Sequence, residues 1–248
     1  MSSKSLRVLL VQARTLDDPM RAHELAAFSR QTRLDEGSFS VFNMAIDAFD
    51  DFATENVDCV MVGGSGAFSL VDSGFSWHED FLKLMRELVR RKVPTFASCF
   101  GFQAIIQALG GRLGREADRA ELGTLQVSLT DEGREDPLFG RLPGHFDAQF
   151  GHNDSALLLP DELVHLAMTP RCLYQAIRVR DTPIVATQFH PELQMSDNLD
   201  RFRNYLDLYK PPDHDYDQAI AYAKSIHRPS PHSGELLRLF LEDVAARG

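Results

Sequence analysis

The chain has 248 residues, 44% hydrophobic and 25% charged, enough apolar material for a full α/β core and unlike a disordered or fibrous sequence. A formal net charge of −10 argues against a nucleic-acid backbone or an anionic membrane as the main partner. Cys59, Cys99 and Cys172 form an odd, scattered set, which predicts a reducing, cytoplasmic setting and neither a disulfide framework nor a paired-cysteine zinc site. The first residues carry Lys4 and Arg7 beside a short apolar run and do not read as a signal peptide.

In chain order, "RVLLVQA" (7–13) predicts a buried parallel strand. "DDPMRAHELAAFSRQTRL" (17–34) predicts a helix, with Pro19 near its start and good helix formers behind it. "VDCVMVGG" (57–64) repeats the strand pattern and ends in glycines. "HEDFLKLMRELVRRK" (78–92) has helical spacing of Phe81, Leu82, Leu84, Met85, Leu88 and Val89. "VPTFASC" (93–99) is a third buried strand, and "GFQAIIQALGG" (101–111) a helix closed by Gly110 and Gly111. Alternation of this kind calls for a mainly parallel sheet with helices on both faces.

The second half is richer in strands: "TLQVSL" (124–129), "VHLAMT" (164–169), "YQAIRVR" (174–180) and "IVATQFH" (184–190). They predict a small added antiparallel set and a return to the main sheet. "NLDRFRNYLDLY" (198–209), "YDQAIAYAKSI" (216–226) and "GELLRLFLEDVAAR" (234–247) read as helices, broken at Pro211-Pro212. We expect one domain over 1–248, with a core of residues 6–210 and a helical C-terminal extension over 211–248.

In an open parallel sheet, chemistry collects at the C-terminal ends of the strands. Cys99 falls at such an end in "ASCFGFQ" (97–103), flanked two residues away by the small Ala97 and Gly101. That is the pattern of a sharp nucleophile elbow, and the N-terminus of the following helix favours the reactive thiolate. "TQFHPEL" (187–193) delivers His190 to another strand end. Glu192, two residues on, lies on the same face of an extended segment and is able to orient the imidazole, leaving the other nitrogen for a thiol proton.

Together the two segments resemble those of the class I, triad-type glutamine amidotransferases, whose marks are a Gly-x-Cys-x-Gly-x-Gln elbow and a His-Pro-Glu segment; Ala97 stands here for the first glycine. The resemblance covers roughly residues 6–210 and is nearest to stand-alone amidotransferase domains of the GMP synthase type. It implies a flavodoxin-like, three-layer α/β/α fold. It also implies Cys99 as nucleophile, His190 as general base and acid, and Glu192 as its partner. In "VGGSGAFS" (62–69), Gly64 N–H, with the N–H of Phe100, would form the oxyanion hole, beside Gly63 and Ser65. Gly63, Ser65, Gln103 and, in "FGHNDSALLLP" (150–160), His152 and Asp154 would line the substrate pocket, although Gly151 replaces a family serine and Asp154 also suits a turn. Trp77 reads as a packing residue.

The implied reaction is hydrolysis of glutamine, or another γ-glutamyl amide, through a γ-glutamyl thioester to glutamate and ammonia. It needs no cofactor and no metal. His214, His227 and His232 fit no standard metal spacing, and no phosphate-binding Gly-x-x-x-x-Gly-Lys-Ser/Thr loop is found. A synthetase receiving the ammonia would be a separate subunit. Two alternatives stand beside this: a γ-glutamyl peptide hydrolase acting alone, and a partner-binding pseudoenzyme, against which the intact Cys99, His190 and Glu192 argue.

Overall fold

Short apolar runs alternate with amphipathic ones through the first half of the chain, and laying strands side by side under helices buries both. The computed structural model describes residues 6–48, 56–211 and 213–247. Its strands are β1 (Val8–Gln12), β2 (Phe39–Asn43), β3 (Cys59–Val62), β4 (Thr95–Ser98), β5 (Arg112–Arg115), β6 (Glu121–Leu129), β7 (His145–His152), β8 (Asp154–Leu158), β9 (Leu163–Met168), β10 (Ala176–Val179) and β11 (Ile184–Thr187). Its helices are α1 (Met20–Thr32), α2 (His78–Arg91), α3 (Phe100–Ala108), α4 (Asp131–Glu135), α5 (Met195–Asn204), α6 (Leu206–Tyr209), α7 (Tyr216–Ile226) and α8 (Pro231–Ala245).

Among the described residues, nine strands form one sheet in the order β2-β1-β3-β4-β11-β10-β9-β6-β7, and β5 pairs with β8 in a second, small one. The strands from β2 to β11 in that order run parallel; β10, β9, β6 and β7 continue antiparallel. The fold is therefore the expected flavodoxin-like one, with an antiparallel continuation of the same sheet. The register Thr187↔Ser98 between β11 and β4 is the feature that matters most for the site. It sets the residues after two strands, far apart in sequence, at the same edge.

Helix ends follow local chemistry. α2 carries Glu79 and Asp80 in its first turn and Arg90 and Arg91 in its last, each complementing the helix dipole. α3 closes in a Schellman motif: Gly111 N–H donates to Ile106 O, Gly110 N–H to Gln107 O, and Gly110 adopts φ +89°. The predicted helix over 198–209 is two helices, α5 and α6, separated at Tyr205, whose backbone is not helical.

Apolar side chains fill both faces of the sheet. On one, Val8, Leu10 and Phe28 share a cluster with Leu236, Leu237 and Phe240 of α8, so this C-terminal helix packs on the sheet core. On the other, Leu9, Val11 and Val62 pack with α2 and α3, and Trp77 joins Phe75, Phe81 and Phe100 in an aromatic group beside that cluster. Among the described residues, no helix is long and apolar enough to cross a membrane.

One glycine locks α7 onto the sheet. Gly123, inside β6, has φ +90°, and a Cβ there would lie 2.6 Å from the Ile226 carbonyl oxygen. Gly123→Ala is expected to cost about 2 kcal/mol and to lower Tm by several degrees in a thermal melt. An unchanged Tm would show that α7 gives way freely at this contact.

Candidate active site

The turn between β4 and α3 is tight because Val62, Ala97 and Gly101 meet there and leave no room for a side chain at 101. A Cβ on Gly101 would lie 2.8 Å from Val62 Cγ1 and 3.0 Å from the Ala97 Cβ. Ala97 is accommodated because Gly101, its neighbour across the turn, has no side chain. Cys99, between them, is held at φ 50°, ψ −96°, a left-handed backbone costing about 1–3 kcal/mol that persists only where packing imposes it. Its N–H donates to Thr187 O at 2.7 Å, tying the elbow directly to β11.

From β11 the chain runs through Gln188 and Phe189 to His190. The imidazole Nδ1 lies 2.7 Å from Glu192 Oε1, but a turn and not the expected extended alternation brings them together: Pro191 and Glu192 form a turn closed by Leu193 N–H donating to His190 O at 3.3 Å. A carboxylate only accepts, so Nδ1 carries the hydrogen. Nε2, which makes no hydrogen bond among the described residues, keeps its lone pair. Burial pushes the Cys99 thiol up to about 12, with the Glu192 charge adding and Arg201 opposing. Burial also pulls His190 below the usual imidazole range, against Glu192 and with Arg201. Glu192 is held at about 2: burial alone would raise it, but the His190 ring and Arg201 outweigh that. The resting pair is therefore a neutral thiol and a neutral imidazole. Desolvation of the buried sulfur opposes the thiolate that the helix N-terminus favours.

Sulfur and imidazole are not hydrogen-bonded to each other. The Cys99 sulfur accepts from Gln188 Nε2 at 3.6 Å. Cys99 lines an open cleft, His190 a narrower hollow beside it, and Ser65, Gly151 and Tyr209 wall both. Tyr209 lines the same cleft as Cys99, and burial, then the Cys99 charge, push its phenol up.

The predicted oxyanion donors differ in state. Phe100 is the first residue of α3, and no hydrogen bond among the described residues takes up its N–H. Gly64 sits beside His190: a Cβ there would lie 2.8 Å from His190 Cε1. Its N–H, however, donates to Glu24 Oε1 at 3.2 Å. Gly63 continues the sheet through Val11 O, and Ser65 Oγ caps a turn by accepting from Phe68 N–H at 3.0 Å.

Gln103, His152 and Asp154 all line the cleft with Cys99. Each is also held by protein. Gln103 Nε2 donates to Asp154 O and to Gln188 Oε1, continuing to the sulfur through the Gln188 amide. Asp154 pairs with Arg115 at 2.7 Å and accepts from Ser69 Oγ. His152 lies between Asp154 O and the buried Glu121. Glu121, His152 and Cys172 bring donor atoms within 4.8 Å of one another. There the Cys172 thiol donates to Arg119 O, and Thr169 and Gln175 donate to Glu121, so the cluster's atoms have protein partners.

Sequence patterns missed Gln188, Glu24, Arg14 and Arg201. One signal was present: Glu24 stands on the stripe Met20, Glu24, Ala27, Phe28 that α1 turns to the core, where the helical period asks for an apolar residue. Arg201 follows Asn198 and precedes Phe202 on the inward face of α5 in the same way.

A family model for glutamine amidotransferase class-I matches residues 34–205. A glutamine-hydrolyzing GMP synthase subunit from Methanopyrus kandleri is 31% identical over 127 residues, 50% of this chain and 66% of that protein. The glutamine-hydrolyzing GMP synthase of Borreliella burgdorferi is 30% identical over 142 residues, 57% of this chain and 26% of that one. The matches thus span less than two thirds of either relative. Among solved structures, a glutamine amidotransferase from Thermotoga maritima superposes with a TM-score of 0.73 at 18% identity, covering 97% of this chain and 98% of the other. A putative GMP synthase subunit from Thermoplasma acidophilum gives 0.60 at 21% identity, covering 89% and 97%. These two share the fold.

Proposed function

The chain belongs to the class-I glutamine amidotransferase family, and from that premise we propose that it hydrolyses the γ-amide of glutamine through Cys99, His190 and Glu192. The strongest support is the pairing of β4 with β11, which sets the strained Cys99 turn and the His190–Glu192 pair at one sheet edge. Both GMP synthase relatives are glutamine-hydrolyzing by name, and glutamine is carried over on that ground.

In the proposed reaction, binding of the amide beside Cys99 brings the thiol and Nε2 of His190 together; hydrogen bonds between catalytic groups often tighten only with substrate present. Sγ attacks the γ-carbonyl carbon as its proton passes to Nε2, and Glu192 stabilises the imidazolium through Nδ1–H. Phe100 N–H receives the developing oxyanion. Collapse breaks the C–N bond, and Nε2–H protonates the departing ammonia. Water, deprotonated by Nε2, then cleaves the thioester to glutamate and the free thiol. The ammonia passes to an acceptor on a separate synthetase, a division of labour suggested by the Methanopyrus relative's being named as one subunit of a synthase.

A diazoketone analogue of glutamine tests this. Peptide mapping by mass spectrometry is expected to find one adduct per chain, on Cys99, and glutamine is expected to protect. In the same assay glutamate release from glutamine should exceed release from γ-glutamyl dipeptides. The reverse preference would make the chain a γ-glutamyl peptide hydrolase, and an unmodified Cys99 would end the assignment.

A further inference from the structure

Two buried groups beside His190 belong to neither the proposed triad nor the cleft wall. We propose that Arg201 and Glu24 are positioning residues: a guanidinium on α5 bridges the His190–Glu192 pair to a carboxylate on α1 that holds the Gly64 amide. The role rests on His190 being the base of the proposed reaction.

The bridge is closed by short contacts. Arg201 NH1 lies 3.2 Å from His190 Nδ1 and 3.4 Å from Glu192 Oε1, and its NH2 lies 3.3 Å from Glu24 Oε1. That same oxygen receives Gly64 N–H at 3.2 Å and Arg14 NH2 at 2.7 Å, while Glu24 Oε2 receives Arg14 Nε at 3.1 Å. Arg201 and Glu24 are 6% and 0% exposed, so water screens neither. With a hydrogen already on Nδ1, the guanidinium is no donor to that nitrogen and acts on the ring as a neighbouring charge. A cation so placed disfavours the imidazolium and keeps Nε2 able to accept. Glu24 fixes where the cation sits and, through Gly64, how closely the glycine segment approaches the ring.

The ionisable groups around His190 come from every packed element. They are Glu192 after β11, Arg201 on α5, Glu24 on α1, Arg14 after β1, Cys99 before α3, Tyr205 before α6 and Tyr209 within it. His23 of α1 lies 3.6 Å from Asp197, and burial, then the Arg201 charge, lower its pKa. Opposed signs from two neighbours therefore make a sharper test than one shift.

The ring of His190 is titrated by NMR in the full chain, its signal identified by its loss in His190→Asn. Removing the cation in Arg201→Gln is expected to raise its pKa by about one unit. Removing the anion in Glu24→Gln moves it the other way, and Arg201→Lys, which keeps the charge, stays near wild type. The acid limb of kcat/KM follows the ring in each case, with kcat falling more than KM rises. If Arg201→Gln does not fold, Glu24→Gln and Arg201→Lys still decide. Shifts in one direction for both charge removals, or no shift in folded variants, overturn the proposal. The titration needs no turnover. A chain inert toward γ-glutamyl compounds therefore defeats the functional assignment, while the ring pKa separately decides the bridge.

Discussion

Cys99→Ala is expected to lose glutamate release by a factor on the order of 10⁴ or more while keeping the wild-type melting temperature within a few degrees. The size follows from covalent chemistry: without the sulfur no thioester forms, and water must attack an unactivated amide directly. The fold should tolerate the change because alanine occupies the same left-handed φ of 50° at little extra strain, and the lost sulfur has one weak partner, the Gln188 amide. Cys99→Ser is expected to be nearly as inactive. A hydroxyl is a poorer nucleophile and harder to deprotonate, and desolvation has already pushed even the thiol to about 12. The other two cysteines supply the control. Burial pushes Cys59 and Cys172 up to about 12 as well, and neither lines the cleft that holds Cys99. Cys59→Ala and Cys172→Ala should keep both turnover and the diazoketone adduct. Steady-state release of glutamate, measured beside a thermal melt of each variant, separates loss of chemistry from loss of fold. Undiminished turnover in Cys99→Ala would mean that the cleft works by some other nucleophile.

The elements were legible in the sequence where one physical signal dominated. β1, β3, β4 and β11 are short, wholly buried and mostly apolar, and α2 carries a clear helical stripe with charges of the right sign at each end. β2 went unread because it is an edge strand whose middle residues, Ser40 and Val41, are exposed, so no buried run marks it. β5 carries Arg112 and Arg115 around Gly114 and looks like a loop until it pairs with β8. β7 hides behind His145, Asp147 and Gln149; Gln149 is nonetheless fully buried, with its amide bonded to Arg228 O and Ser230 Oγ in the segment leading to α8. Of the candidate site, the parts set by neighbours in sequence were visible: the elbow, and Glu192 two residues from His190. The parts set by packing between distant helices were not. Nothing local relates Glu24, Arg14 and Arg201, and nothing in "VGGSGAFS" reveals that the Gly64 N–H already has an acceptor on α1.

That packing predicts the largest stability effect in the chain. Arg14 is 1% exposed and donates to Glu24 through two nitrogens and to Asp18 and the Tyr205 hydroxyl through the third. Burial alone would lower its pKa, but the Glu24 charge and hydrogen bonds outweigh this and raise it, so the guanidinium stays charged. Arg14→Met keeps much of the volume and removes the charge. Glu24 is then left with Arg201 and one amide, in a site water does not reach. Breaking a buried pair from one side costs about 3 kcal/mol or more, which for a chain of this size lowers Tm by roughly 6–12 °C. The double replacement Arg14→Met with Glu24→Leu takes out both charges, and burying apolar groups in place of an ion pair is often neutral or better. It should recover a good part of the lost Tm. Recovery stays incomplete, because Arg201 loses one carboxylate and Gly64 N–H loses its acceptor. Activity is expected not to return with stability, since the double replacement removes the hydrogen bonds that join α1 to Arg201 beside His190 and to the glycine segment. A double variant that regained both would place the worth of the Arg14–Glu24 pair in the fold alone. An Arg14→Met variant melting with wild type would mean that Glu24 finds another counter-charge when Arg14 is gone.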